Sequence, residues 1–127
     1  IDGNLWQGGC PEGAAPKEIK YIISLYPWGT YQVYYHQIYL EATLFDSSVI
    51  PDAATLDFIA SYVNQCRRLG PTLVHGQAGL NRSALVVAYA LFKEGMVPSE
   101  AIALLRNKRS DVVLCNAAFE NWLLNLK

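Results

Sequence analysis

His75-Gly76-Gln77-Ala78-Gly79-Leu80-Asn81-Arg82-Ser83 is the stretch on which the reading of this chain turns. Before it stands Pro71-Thr72-Leu73-Val74, a short apolar run with β-branched residues that reads as a buried strand. After it, large apolar side chains at Leu85, Val86, Tyr89 and Phe92 recur at helical spacing. The nine residues therefore form a strand-to-helix loop. Two glycines and a following helix N-terminus let such a loop converge several backbone N–H groups on one point, where the helix dipole adds positive potential. That is a pocket for an anion. Arg82, at the helix entrance, is disfavoured there by the dipole alone. It gains a purpose when an anion is present, because its planar guanidinium can grip two oxygens of a phosphate.

Working outward, Leu5–Gly9 reads as a short strand ending in a turn, and Tyr21–Tyr26, β-branched and aromatic, as a buried strand. A brief helix is expected over Pro16–Lys20. Tyr31–Phe45 reads as a short helix followed by a strand within Gln37–Phe45. Pro51 suits a first helical position with Asp52 in the first turn, and Leu56, Ile59, Ala60 and Val63 stripe that helix down to Arg68. Gly70-Pro71 ends it. Downstream of the loop, Gly95 is placed as a C-terminal cap, Pro98–Arg109 as a helix, and Asn116–Leu126 as the closing helix. Strands and helices alternate, so the expected fold is α/β: a single domain over residues 1–127 with a central, mostly parallel sheet of four to five strands flanked by helices.

Composition bounds the function. A chain of 127 residues, 52% hydrophobic and 17% charged, is long and apolar enough for one globular core. Net charge is −1 without a run of like charges, so neither an extended nucleic-acid footprint nor a polybasic membrane patch is expected. Cys10, Cys66 and Cys115 are far apart, odd in number and accompanied by only two histidines, which fits reduced thiols in a cytoplasmic protein better than disulfides or a zinc site. No metal and no cofactor are expected. No apolar run reaches the ~18 residues of a membrane span, and no signal-peptide pattern opens the chain.

The loop also carries a resemblance. His-Cys-(five residues)-Arg-Ser/Thr is the pattern of the cysteine-dependent protein tyrosine phosphatases, and HGQAGLNRS, with Ala78-Gly79 in mid-loop, resembles their compact dual-specificity branch. One letter departs from it. The nucleophilic cysteine of that family belongs at position 76, and this chain has Gly76. The resemblance covers essentially the whole chain and implies the same alternating α/β fold.

It also implies roles. The backbone amides from Gln77 through Ala78, Gly79, Leu80 and Asn81 to Arg82 would hold a phosphate, with the Arg82 side chain binding phosphate and transition state. His75 would order the loop and help keep a neighbouring thiol ionised. Ser83 would hydrogen-bond the cysteine sulfur. Asp46, thirty residues before position 76, would donate a proton to the leaving oxygen; its bland alternative is an Asx-turn in Asp46-Ser47-Ser48. Asp52 competes but is explained by helix initiation. Asn116 reads first as a helix cap and second as a brace for the loop. The aromatic cluster Tyr26, Trp28, Tyr31, Tyr34 and Tyr35 reads mostly as packing, with part of it as a rim for a phosphorylated side chain; His36 reads as structural. The loop has no lysine, which the resemblance connects with a phosphorylated protein or peptide rather than an inositol phosphate.

Glycine has no side chain with which to form a phosphocysteine, so negligible phosphomonoester hydrolysis is expected. Two readings follow: a phosphatase domain in an inactivated or substrate-trapping form, and a natural pseudophosphatase serving as a phosphoprotein-binding module. In either, the chain is expected to be a monomer that takes a phosphate-like anion in the loop. Nucleotide binding and serine hydrolysis are disfavoured, since GxxxxGK[ST], GxGxxG and GxSxG are all absent.

Overall fold

A computed structural model describes residues 3–127; the first two positions of the expected 1–127 domain lie outside the described residues. Four strands form one sheet: β1 (Leu5–Gly8), β2 (Tyr21–Ser24), β3 (Ile38–Glu41) and β4 (Thr72–His75). Its order is β1-β4-β2-β3, with all three neighbouring pairs parallel. The structure is thus a single-domain α/β fold, with four helices: α1 (Ala53–Leu69), α2 (Arg82–Lys93), α3 (Pro98–Lys108) and α4 (Ala117–Leu124).

The sheet has two unequal faces. Side chains alternate along a strand, so Tyr21, Ile23 and Val74 join the main core with residues of all four helices, whereas Ile22 and Leu73 face a smaller cluster with Ala15, Ile19 and Tyr31. α2 runs through the middle of the main core: Ser83–Ala88, Ala90 and Leu91 are all buried. Its hydrophobic run is therefore nearly all-round, as a helix covered on several sides requires.

Two short helices expected from the sequence do not form. Between Pro16 and β2 there are too few residues to propagate a helix, and the chain makes only a turn, Ile19 N–H to Pro16 O at 3.1 Å, that drops Ile19 onto the sheet. Around Tyr31 the backbone bonds sideways instead, with Gln32 N–H donating to Gly13 O at 2.7 Å and an isolated bridge between Ala14 and Gln32. A third boundary shifts: Asp52 is the N-cap of α1, not a first-turn residue, and its carboxylate accepts from Thr55 N–H at 3.1 Å. Gly95 follows the end of α2 with φ 103°, the left-handed geometry that favours glycine there.

Candidate active site

β4 ends at His75 and α2 begins at Arg82, so the sheet and the central helix clamp both ends of the loop 76–81. Between them, four successive carbonyls are each tied to a partner. Gln77 O accepts from Cys10 N–H at 2.8 Å, and Ala78 O from Arg109 Nη2 at 2.7 Å. Gly79 O accepts from Arg109 Nη1 at 2.6 Å and Gln7 Nε2 at 2.5 Å, and Leu80 O from Leu114 N–H at 2.8 Å. In a trans peptide the following N–H points opposite to the carbonyl. Fastening the carbonyls of residues 77–80 on one side therefore aims the amides of residues 78–81 at the other. Asn81 stands at the N-cap position but makes no capping bond, which leaves the N-terminus of α2 open toward the same side.

On that side lies a cavity of roughly 100 Å³ lined by the loop from Gly76 to Arg82 and by Asp46. Arg82, the first residue of α2, lies against it, with Nη1 donating to Leu44 O at 3.2 Å and the guanidinium carbon 5.5 Å from the Tyr26 ring centre. Asp46 is held from two elements: Asn81 Nδ2 donates to Oδ2 at 2.9 Å and Asn116 Nδ2 to Oδ1 at 2.7 Å. Asn116 caps α4 through its Oδ1, which accepts from Phe119 N–H at 3.2 Å, and braces Asp46 through its amide nitrogen. Asp52 lines a different cavity.

Gly76 and Gly79 differ in kind. Gly79 has φ 74°, and a Cβ there would sit 2.2 Å from the Gly8 carbonyl carbon. Only glycine fits. Gly76 lies outside the left-handed region, and a Cβ built on it would meet nothing nearer than 3.7 Å, the Arg82 Cβ and Nε, with Ser83 N at 3.9 Å. A side chain fits at 76, beside a guanidinium and a helix N-terminus. That surrounding would favour a thiolate.

His75 is fully buried beneath the loop. Its Nδ1 lies 2.9 Å from Gly76 O, a carbonyl that can only accept, so Nδ1 carries the proton and Nε2 accepts from the Tyr31 hydroxyl at 2.6 Å. Burial pushes its pKa down, so the ring is neutral near pH 7. It can order the loop but brings no positive charge to position 76. Burial likewise pushes the Tyr31 hydroxyl pKa up, keeping it a donor. The Ser83 hydroxyl accepts from Gln7 Nε2 at 2.7 Å and donates to Gly8 O at 3.3 Å.

The structure thus brings Asp46, the loop and Arg82 to one cavity, and sets His75 behind it. Tyr26 and Trp28 stand on the Arg82 side, their rings 5.4 Å apart, and Trp28 continues to Phe45 at 6.4 Å. Tyr34 and Tyr35 instead pack on His36. Sequence reasoning missed Gln7, Arg109 and Leu114, which fasten the loop, and assigned the Asn81 side chain no task. Leu114 holds φ 61°, a strained value for a branched residue, in the segment whose amide reaches Leu80 O. Among the described residues no cluster of three His, Cys, Asp or Glu could hold a metal ion, and no helix is long and apolar enough to cross a membrane.

A family model described as "Dual specificity phosphatase, catalytic domain" matches residues 6–127. Comparison with curated protein sequences gives no match. Among solved structures, human DUSP28 is similar with a TM-score of 0.81 at 20% identity, over 94% of this chain and 87% of that one. The human tyrosine phosphatase-like serine/threonine/tyrosine-interacting protein gives 0.69 at 25% identity, over 84% and 74%. Kinase associated phosphatase, with a serine substituted for its catalytic site cysteine, gives 0.70 at 24% identity, over 84% and 67%.

Proposed function

The chain belongs to the dual-specificity phosphatase catalytic-domain family, and from that premise we propose that it binds phosphorylated protein side chains without hydrolysing them. The observation that carries this reading is the fastening of the four loop carbonyls away from the cavity, which leaves amides, the open end of α2 and Arg82 around a space the size of one tetrahedral anion. Those groups supply charge-assisted hydrogen bonds to a phosphate dianion. Position 76 supplies no nucleophile, so the phosphoryl group has no enzyme atom to move to. A thiolate would also repel the dianion; a glycine does not.

Asp46 in this reading sits where the oxygen bridging phosphorus and the bound side chain would lie, held in place by Asn81 and Asn116. With a nucleophile at 76 it would be the proton donor to that oxygen. Ser83, bonded to Gln7 and Gly8, keeps the helix entrance in register with β1.

Two histories lead to this chemistry. Retention of Arg82, Asp46 and Ser83 around a position that accepts a Cβ supports an active phosphatase inactivated at one residue, a form that traps substrate. The relative at 25% identity is named phosphatase-like and serine/threonine/tyrosine-interacting, which supports a natural pseudophosphatase acting as a phosphoprotein-binding module. Both predict the same test. Phenyl phosphate titrated into the chain should bind saturably with no release of inorganic phosphate, and Arg82→Ala should weaken that binding at least tenfold. Binding indifferent to Arg82 would remove the proposal.

A further inference from the structure

The wall between the phosphate cavity and a larger groove is a single segment. Asp46 lines the cavity, while its neighbours Phe45 and Ser47 line a groove of about 380 Å³ completed by Leu44, Val49, Ile50 and Pro51. Consecutive Cα atoms are 3.8 Å apart, so the two spaces are immediate neighbours. The segment is pinned from the phosphate side: Arg82 Nη1 bonds Leu44 O at 3.2 Å, and Asn116 Nδ2 bonds Asp46 at 2.7 Å and Ser47 O at 2.8 Å. The groove's one carboxylate is occupied, since Asp52 accepts from the Thr55 amide and hydroxyl as the cap of α1. What remains open is mostly apolar, and unusually exposed. Phe45 is 64% and Val49 73% accessible. Apolar side chains clustered so beside a polar anion pocket mark a surface that receives another apolar group.

We propose that this groove is a specificity subsite: it takes a large apolar side chain lying within three positions of the phosphorylated residue in the same bound peptide. The inference rests on the phosphate-binding reading and refines it. Its occupant follows from continuity. A phosphate in the cavity lies against Asp46, and the residues on either side of Asp46 in the chain, Phe45 and Ser47, already line the groove together with Val49. Phe45 also meets Trp28, which joins the groove to the aromatic line Tyr26–Trp28 beside Arg82. Burying a leucine-sized side chain there is worth about tenfold or more in affinity. Recognition by charge is not favoured, because the segment carries no free cation or anion except Asp46, which faces the phosphate.

The test uses two synthetic phosphotyrosine peptides of equal length and charge, one with leucines and one with serines at the three positions on either side, and phenyl phosphate as the probe too short to reach the groove. Isothermal titration should show the leucine peptide binding at least tenfold tighter than the serine peptide. Val49→Asn, an exposed and uncharged change outside the residues that line the phosphate cavity, should cut that ratio to below threefold while leaving phenyl phosphate affinity unchanged. Equal affinity for the two peptides overturns the subsite while sparing the phosphate reading. Failure of phenyl phosphate to bind through Arg82 removes both. Should Val49→Asn instead shift the sedimentation coefficient and leave the peptide ratio intact, the groove is a contact between copies of this chain and the subsite is refuted.

Discussion

The two sides of the loop teach different lessons about the same nine residues. Behind it, around Gly79, the backbone is pressed so closely on Gly8, Gln7 and Arg109 that even a methyl group has no place. In front, around Gly76, the backbone is ordinary and a side chain has room. One glycine is there because geometry demands it. The other is not, and in the proposed reading the rear holds the anion while the front decides whether anything happens to it.

The largest effect that could sharpen this contrast comes from Gly76→Cys. The new Cβ meets only contacts of 3.7 Å and beyond, so the loop should stay as it is. The thiol would lie beside Arg82 and the N-terminus of α2, both of which favour its ionised form. Steady-state release of phosphate from an aryl phosphate should rise from background to a readily measured rate. Arg82→Ala in the same background should abolish it, and Asp46→Asn should reduce it by about 10²-fold or more. A folded Gly76→Cys protein that stays silent would show that more than one sulfur separates this site from an enzyme.

A smaller but cleaner effect comes from placing the same methyl group on each side. Gly79→Ala must relieve both a left-handed φ of 74° and a 2.2 Å collision with backbone, at a cost of about 3 kcal/mol or more in urea unfolding and with loss of phenyl phosphate binding. Gly76→Ala fits its φ and its space, and by restricting the unfolded chain should raise stability by about 0.4–1 kcal/mol. Equal destabilisation by the two changes would erase the distinction between rear and front.

What the sequence disclosed follows the same division. The strand before the loop, the helix after it and the two glycines are local patterns, readable because side-chain periodicity and backbone permissiveness act over a few residues. Asp46 was singled out through the family resemblance, with helix initiation setting Asp52 aside, and the structure shows it lining the cavity with its carboxylate accepting from Asn81. Gln7 and Arg109 were not, since they reach Gly79 O from 72 and 30 residues away and nothing in their neighbourhoods announces it. Leu114 was hidden because leucine gives no warning of a positive φ. The absent helices near Pro16 and Tyr31 failed for a related reason. Aromatic and apolar spacing there serves the second face of the sheet, where Ile19 and Tyr31 pack, and that face exists only once the strands have paired.

His75 lies at the junction of rear and front, and its ionisation offers the smallest and most specific effect. Burial lowers its pKa in the folded protein, while the unfolded chain keeps the ordinary value near 6.5. Below that value the unfolded state binds a proton that the folded state refuses, so stability increases with pH through this window and is fully present above it. Acidifying from pH 7 toward pH 5 should therefore lower the urea midpoint. Protonation would force the acceptor Nε2, which receives the Tyr31 hydroxyl, to become a donor, so that this bond must break or reverse. His75→Gln keeps polar atoms near Gly76 O and Tyr31 without titrating, and should flatten the pH dependence even if it lowers stability at pH 7. Persistence of the full slope in His75→Gln would assign it to other groups, leaving the buried histidine as packing beneath the loop.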